Sequence, residues 1–141
     1  MTTQRNPCNW MAACGIALLA ACLGCNAGQQ TRTYAIYTGG NAKHGKQLIA
    51  GYGCGACHII PGIHAARGLV GPPLLYLGQR TMIAGELPNT PDNLAHWIEH
   101  PKQVNPKTAM PDLGLTDDQA YDIVAYLETL RAPEGTSWLQ Q

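Results

Sequence analysis

Five consecutive residues, Cys54-Gly55-Ala56-Cys57-His58, constrain this chain of 141 residues more than any other feature. Two thiols with two residues between them can share one ligand, and an imidazole follows them without a gap. A thioredoxin-like redox pair uses such thiols, but it opens a helix directly after a strand, and no strand pattern precedes Cys54. Half of a zinc site also has this spacing and needs two further ligands. His64, His96 and His100 are available, yet none forms a second ligand pair matched to the first. Attachment of a c-type haem requires thiols at this spacing to add to two vinyl groups, with the next imidazole held under the iron. The pattern therefore predicts one covalent haem c.

The remaining cysteines do not read as a disulfide framework. Cys8, Cys14, Cys22 and Cys25 crowd the first 25 residues, and none occurs in the 84 residues after Cys57. A small secreted domain held by disulfides would spread them along its folded body. The N-terminus reads instead as an address. Arg5 precedes an apolar run over residues 10–21, the length of a signal-peptide core and short of the ~20 residues that span a bilayer. The run ends Leu19-Ala20-Ala21-Cys22, which resembles the lipobox of bacterial lipoproteins. A frame ending at Cys25 fits less well, because a leucine is expected three residues before the cysteine.

That resemblance implies a signal peptide over residues 1–21, cleavage before Cys22 and a diacylglycerol on its thiol. The product would be exported to the periplasm and anchored to a membrane as a lipoprotein. The alternative is an ordinary cleaved signal peptide and a soluble product. Residues 22–40, polar and ending in Gly39-Gly40, read as the tether, with a reach of roughly 20–25 Å if flexible. A domain over residues 41–133 and a tail over 134–141 complete the organisation.

Hydrophobic residues make up 45% and charged residues 13%, which excludes wholesale disorder and a nucleic-acid-binding tail. The net charge of zero conceals two halves of opposite sign. Residues 26–111 hold seven basic and three acidic side chains, and residues 112–141 hold one basic and six acidic. Basic loops around the haem edge and an acidic last helix would orient the domain toward an acidic partner. An ordinary solvated helix face is the alternative. There is no Phe, so core volume must come from elsewhere. A haem supplies it, and the chain without haem is expected to fold poorly.

Helices are expected over residues 42–52, with Asn41 as N-cap, and from Thr90-Pro91 to a stop at Pro101. A third follows the capping box Thr116-Asp117-Asp118-Gln119 and runs to about Arg131, with Ile123, Val124, Leu127 and Leu130 as its apolar stripe. Gly- and Pro-rich loops lie between them, and no alternating pattern predicts strands. The expected fold is all-α, with long loops that wrap something.

The iron needs a sixth ligand or an open face. Beyond the signal peptide only Met82 and Met110 remain. Met110 lies in the non-helical stretch Asn105-Pro106-Lys107-Thr108-Ala109-Met110-Pro111, which can carry a thioether to the far side of the haem. Met82 reads better as a filler of a core gap. His64, His96 and His100 would be alternatives as second ligands.

Residues 41–131 resemble a class I cytochrome c domain of three to five helices. The stretch 71–130 is similar to the cytochrome c domain fused to subunit II of caa3-type oxidases. The resemblance is carried by the CxxCH segment, Gly71-Pro72-Pro73-Leu74, Leu77-Gly78-Gln79-Arg80, the run from Leu87 to Ile98, Met110-Pro111 and the closing Val124-Ala125-Tyr126-Leu127-Glu128-Thr129-Leu130. It implies attachment through Cys54 and Cys57, His58 as proximal and Met110 as distal ligand. Pro72 would accept a hydrogen bond from His58, Arg80 and Trp97 would bond the haem propionates, and Gly45 would let the first helix cross the last near Tyr126. The chain has no room for the copper-binding domain or membrane hairpin of such a subunit, so only the electron-carrying domain carries over.

Together these readings predict an electron carrier rather than an enzyme, exchanging electrons with a redox donor and acceptor such as a quinol–cytochrome c reductase and a terminal oxidase. The alternatives are a cytochrome subunit of a periplasmic dehydrogenase or reductase, and a haem sensor or enzyme with a labile Met110.

Overall fold

A computed structural model describes residues 38–132. The signal peptide, Cys22, most of the tether and the tail from residue 133 lie outside the described residues. Helix α1 spans Ala42–Gly51, and Asn41 caps it by accepting from the amides of Lys43 and His44 at 3.0 and 3.2 Å. Gly53, at φ +70°, turns the chain out of this helix into a 3-10 turn, Cys54–Ala56. Helix α2 spans Pro91–Glu99, with the Thr90 hydroxyl accepting from Asn93 N at 3.2 Å. Helix α4 spans Asp117–Leu127 behind a complete capping box formed by Thr116 and Gln119.

Three details differ from the expectations. Pro101 ends α2 but also opens a further turn, α3 at Pro101–Val104, because a proline at the first helical position needs no amide partner. Regular α-helix stops at Leu127 rather than near Arg131. The chain then tightens, with Thr129 N bonding Tyr126 O and Leu130 N bonding Leu127 O. A hairpin also appears where no strand was expected. Strand β1 (Met82–Ile83) pairs antiparallel with β2 (Leu87–Pro88) around a turn in which Ala84 and Gly85 both take positive φ. Strands of two residues are too short to show an alternating pattern.

Helix α4 is the centre of the fold, and both α1 and α2 pack against it. The core holds Ile49 of α1, Leu94 and Ile98 of α2, and Ile123, Val124 and Leu127 of α4. Aliphatic side chains fill the place of the missing phenylalanines, each contributing about 1.5–3 kcal/mol when fully buried. The α1–α4 crossing falls at Gly45, where a Cβ would overlap the Asp122 carbonyl. This is one turn of α4 earlier than Tyr126. Tyr126 instead donates its hydroxyl to the Pro61 carbonyl at 2.7 Å and holds the loop after the attachment turn.

Asp122 staples the crossing from outside. Its carboxylate accepts from Asn41 N at 2.5 Å and meets His44 Nδ1 at 2.6 Å. Gly40 abuts the α4 backbone at Tyr121 and Asp122, so the packed body begins before Asn41. At the far end of α4 the buried carboxylate of Glu128 meets Arg131 at 2.9 Å. Burial pushes its pKa above the usual carboxylate range, partly opposed by that guanidinium. Among the described residues, no helix is long and apolar enough to cross a membrane.

Candidate functional site

The attachment turn is closed by its own backbone, with Cys57 N and His58 N both donating to Cys54 O at 3.2 and 3.0 Å. The two cysteines are free thiols on one side of this turn. Burial pushes the Cys54 thiol above its ordinary pKa, its backbone hydrogen bond opposes this, and the neighbouring Cys57 adds to the rise.

The loop that follows folds back over the turn. Gly68 N donates to Gly55 O at 3.0 Å, Gly71 N to Cys57 O at 2.8 Å and Leu74 N to Ile59 O at 2.9 Å. Gly71 is pressed so closely on His58 that a Cβ there would overlap the imidazole ring. The ring is fixed further by Pro72, whose carbonyl lies 2.8 Å from His58 Nδ1. A carbonyl only accepts, so the proton sits on Nδ1 and the lone pair of Nε2 remains for a ligand bond.

A cavity of about 510 Å³ opens beside this turn. Cys54, Cys57, His58 and Pro72 line it from one part of the chain. Leu77, Arg80 and Met82 come from the middle segment, Leu94, Trp97 and Ile98 from α2, and Thr108, Met110 and Leu113 from the loop before α4. Every site residue expected within the described chain therefore meets in one place, drawn from segments up to 56 residues apart. Cys22 lies outside the described residues.

Three placements depart from expectation. Met82 does not fill a core gap: it is 47% exposed and lies at the cavity, because Ile83 beside it takes the inward face of β1. Arg80 does reach the cavity, but one of its terminal nitrogens donates to the Pro73 and Leu75 carbonyls at 2.5 and 3.1 Å. It braces the loop before β1. Of the expected cations among the described residues, Arg80 alone lines the cavity. Lys43, Lys46, Arg67, Lys102 and Lys107 are exposed and do not line the cavity. His64, His96 and His100 likewise lie outside the lining, the last two with their rings 5.6 Å apart. Tyr52, Asn105 and Thr108 line the cavity without having been singled out. For Asn105 and Thr108 the only signal was their place in the Met110 loop.

Among the described residues, no group of three or more His, Cys, Asp or Glu side chains could hold a metal ion directly. The zinc alternative thus finds no ligand set there. The family model for cytochrome c matches residues 42–131. The chain belongs to the cytochrome c family.

The relatives agree with this assignment. Cytochrome c oxidase subunit 2 of Alkalihalophilus pseudofirmus is 36% identical over 96 residues, which are 66% of this chain and 27% of that protein. The subunit of the same name from Bacillus subtilis is 27% identical over 95 residues, 64% of this chain and 27% of its own length. Cytochrome c2 of Rhodopila globiformis is 51% identical over 43 residues, 30% of this chain and 41% of that protein. This chain spans about a quarter of the length of the two oxidase subunits. No solved structure matches it.

As a member of the cytochrome c family the chain binds one covalent haem c and carries electrons. The observed helices and long loops are those of a class I cytochrome c. The cavity fits the group on two independent counts. It is mostly apolar and of a size suited to a large flat ligand. Two thiols and an imidazole with one committed nitrogen stand on its wall.

Proposed function

We propose that this cytochrome c is a membrane-tethered carrier of single electrons whose haem is held by His58 on one face and Met110 on the other. The observation that carries the reading is that His58 and Met110 line the same cavity as Cys54 and Cys57, although 52 residues separate the two ligands. A haem bound there supplies a one-electron iron couple. The chain's own residues do the rest. Pro72 and Gly71 fix the His58 ring with Nε2 available.

The Met110 loop is held by several bonds. Met110 N donates to Thr108 Oγ1 at 3.2 Å, Lys107 N to Asn105 Oδ1 at 2.9 Å, and Lys102 Nζ to the Thr108 carbonyl. A thioether on a loop so fastened would be held in one place toward a bound haem, whatever the charge on its iron. Leu77, Leu94, Ile98 and Leu127 exclude water from the inner wall. Arg80 and Trp97 stand where propionates would be received.

A closed sixth position separates a carrier from a sensor or an enzyme. Carbon monoxide added to the ferrous protein at neutral pH is expected to leave the spectrum unchanged, whereas rapid and complete formation of a CO adduct would favour the sensor reading. The tether rests on the Leu19–Cys22 pattern. Cys22→Ser is expected to move the protein from the membrane to the soluble fraction. Donor and acceptor would be redox proteins of a respiratory chain, a quinol–cytochrome c reductase and a terminal oxidase.

A further inference from the structure

The carrier reading leaves one cluster of ligating side chains unused, at the edge where α2 packs on α4. His96 and His100 stand four residues apart, and His100 N bonds His96 O at 2.8 Å, so the turn between them keeps its helical bond. That spacing puts both imidazoles on one face, the arrangement by which a helix presents two histidines to one metal ion. Their ring centres lie 5.6 Å apart. Ion–nitrogen bonds of ~2.1 Å hold two ring centres roughly 4.5–5.5 Å apart at right-angled to tetrahedral geometry. Both side chains are exposed, so a small rotation closes the difference. Among the described residues the hydrogen-bonded imidazoles are those of His44 and His58, and neither His96 nor His100 has such a partner.

The surroundings carry negative charge without a matching cation. Burial pushes the Glu99 carboxyl above its usual range, Asp117 at the start of α4 adds to the rise, and the imidazoles of His100 and His96 oppose it. Tyr121 of α4 donates to Asp92 at 2.8 Å. That bond, then burial and the carboxylates of Asp92, Glu99 and Asp117, push its phenol up. The groups acting on Glu99 and Tyr121 include no lysine or arginine. Lys102, the nearest lysine along the chain, is turned to the Met110 loop and donates to the Thr108 carbonyl. Three carboxylates thus share this edge with two unpartnered imidazoles, at the electronegative C-terminal end of α2.

We propose that His96 and His100 chelate a divalent transition-metal ion of the Zn²⁺ and Cu²⁺ class, drawn by the carboxylates of Asp92, Glu99 and Asp117. Imidazole suits these ions, with Cu²⁺ held more tightly than Zn²⁺, whereas carboxylates alone would suit Mg²⁺ or Ca²⁺. No third side chain stands in place to hold an ion among the described residues, so water completes the shell. Neither histidine lines the haem cavity, so the site is separate from the haem and does not rest on the carrier reading. The ion would clasp the turn that carries Trp97 and Ile98 to that cavity.

The test is calorimetric titration of the untagged, full-length, haem-loaded ferric protein with ZnCl₂ near neutral pH, in millimolar MgCl₂. One Zn²⁺ per chain is expected to bind at this site. His96→Gln and His100→Gln should each weaken binding about tenfold or more, the equivalent of ~1.4 kcal/mol, with the visible spectrum unchanged. His64→Gln, the control, should bind as the unaltered chain does. Undiminished binding by both α2 variants would overturn the proposal by placing the ion on other groups, the N-terminal cysteines included. A loss confined to one of the two would overturn the chelate in favour of a single imidazole. Displacement of Zn²⁺ by equimolar Mg²⁺ would overturn it in favour of a carboxylate site, and no binding at millimolar Zn²⁺ would overturn it outright. A protein that binds no Zn²⁺ yet keeps its ferrous iron closed to carbon monoxide loses this site alone, so the two readings fail separately.

Discussion

Replacing both attachment thiols, Cys54→Ala with Cys57→Ala, is expected to leave a chain that does not reach the native fold. The argument is one of magnitude. The cavity measures about 510 Å³, and an unfilled apolar void costs ~24 cal/mol per Å³. The product, on the order of 10 kcal/mol, is an upper figure because solvent enters an open cavity. It still matches the whole stability of an ordinary domain, about 5–15 kcal/mol. Leu77, Ile83, Leu94, Ile98 and Leu127 would each lose packing partners, and no phenylalanine is at hand to repack the space. The variant should show no haem absorbance, no near-ultraviolet circular dichroism and no cooperative unfolding transition. A cooperative transition in the haem-free variant would show that the helices α1, α2 and α4 suffice without the group at their centre.

Met110→Ala carries the second large effect. Its loop is anchored by bonds that use no side-chain atom of Met110, through Asn105, Thr108 and Lys102, so truncation should remove the thioether without unfolding the loop. Loss of a thioether ligand destabilises the reduced state. The potential is expected to fall by on the order of 0.1–0.2 V, within the ~0.8 V range that axial ligands command. The ferrous form should become high-spin and bind carbon monoxide. Met82→Leu is the matched control, because Met82 also lines the cavity, and it should change neither property. The reverse outcome, with Met82→Leu opening the iron and Met110→Ala silent, would assign the ligand to β1.

The sequence made the helices legible where local chemistry specifies them. Asn41, Thr90-Pro91 and Thr116–Gln119 are caps, and each cap starts the helix expected of it. It was less informative where backbone spacing decides. The hairpin at Met82–Pro88 depends on a three-residue connection with positive φ at Ala84, a residue that does not announce it. The Gly45 crossing was readable as a close approach, but its position on α4 depends on how two helices settle against each other, and Asp122 rather than Tyr126 lies opposite.

At the site, the CxxCH turn and the Met110 loop were readable because covalent attachment and ligation demand particular atoms. Arg80's bonds to Pro73 and Leu75 were not, since a guanidinium has several donors and the chain offers many carbonyls. The charge count predicted a basic rim. Among the described residues none of those cations except Arg80 lines the cavity, whereas Val70 and Met82 do, a distribution that no tally of residues along the chain contains.

The most direct test of the central claim is a potentiometric titration of the full-length protein followed by its visible spectrum. A single haem carried by Cys54 and Cys57 between His58 and Met110 predicts one reversible one-electron transition at positive potential. It also predicts sharp low-spin bands in the reduced form and a weak methionine-to-iron charge-transfer band in the oxidised form. A high-spin ferrous spectrum, or a transition at strongly negative potential without that band, would contradict the account.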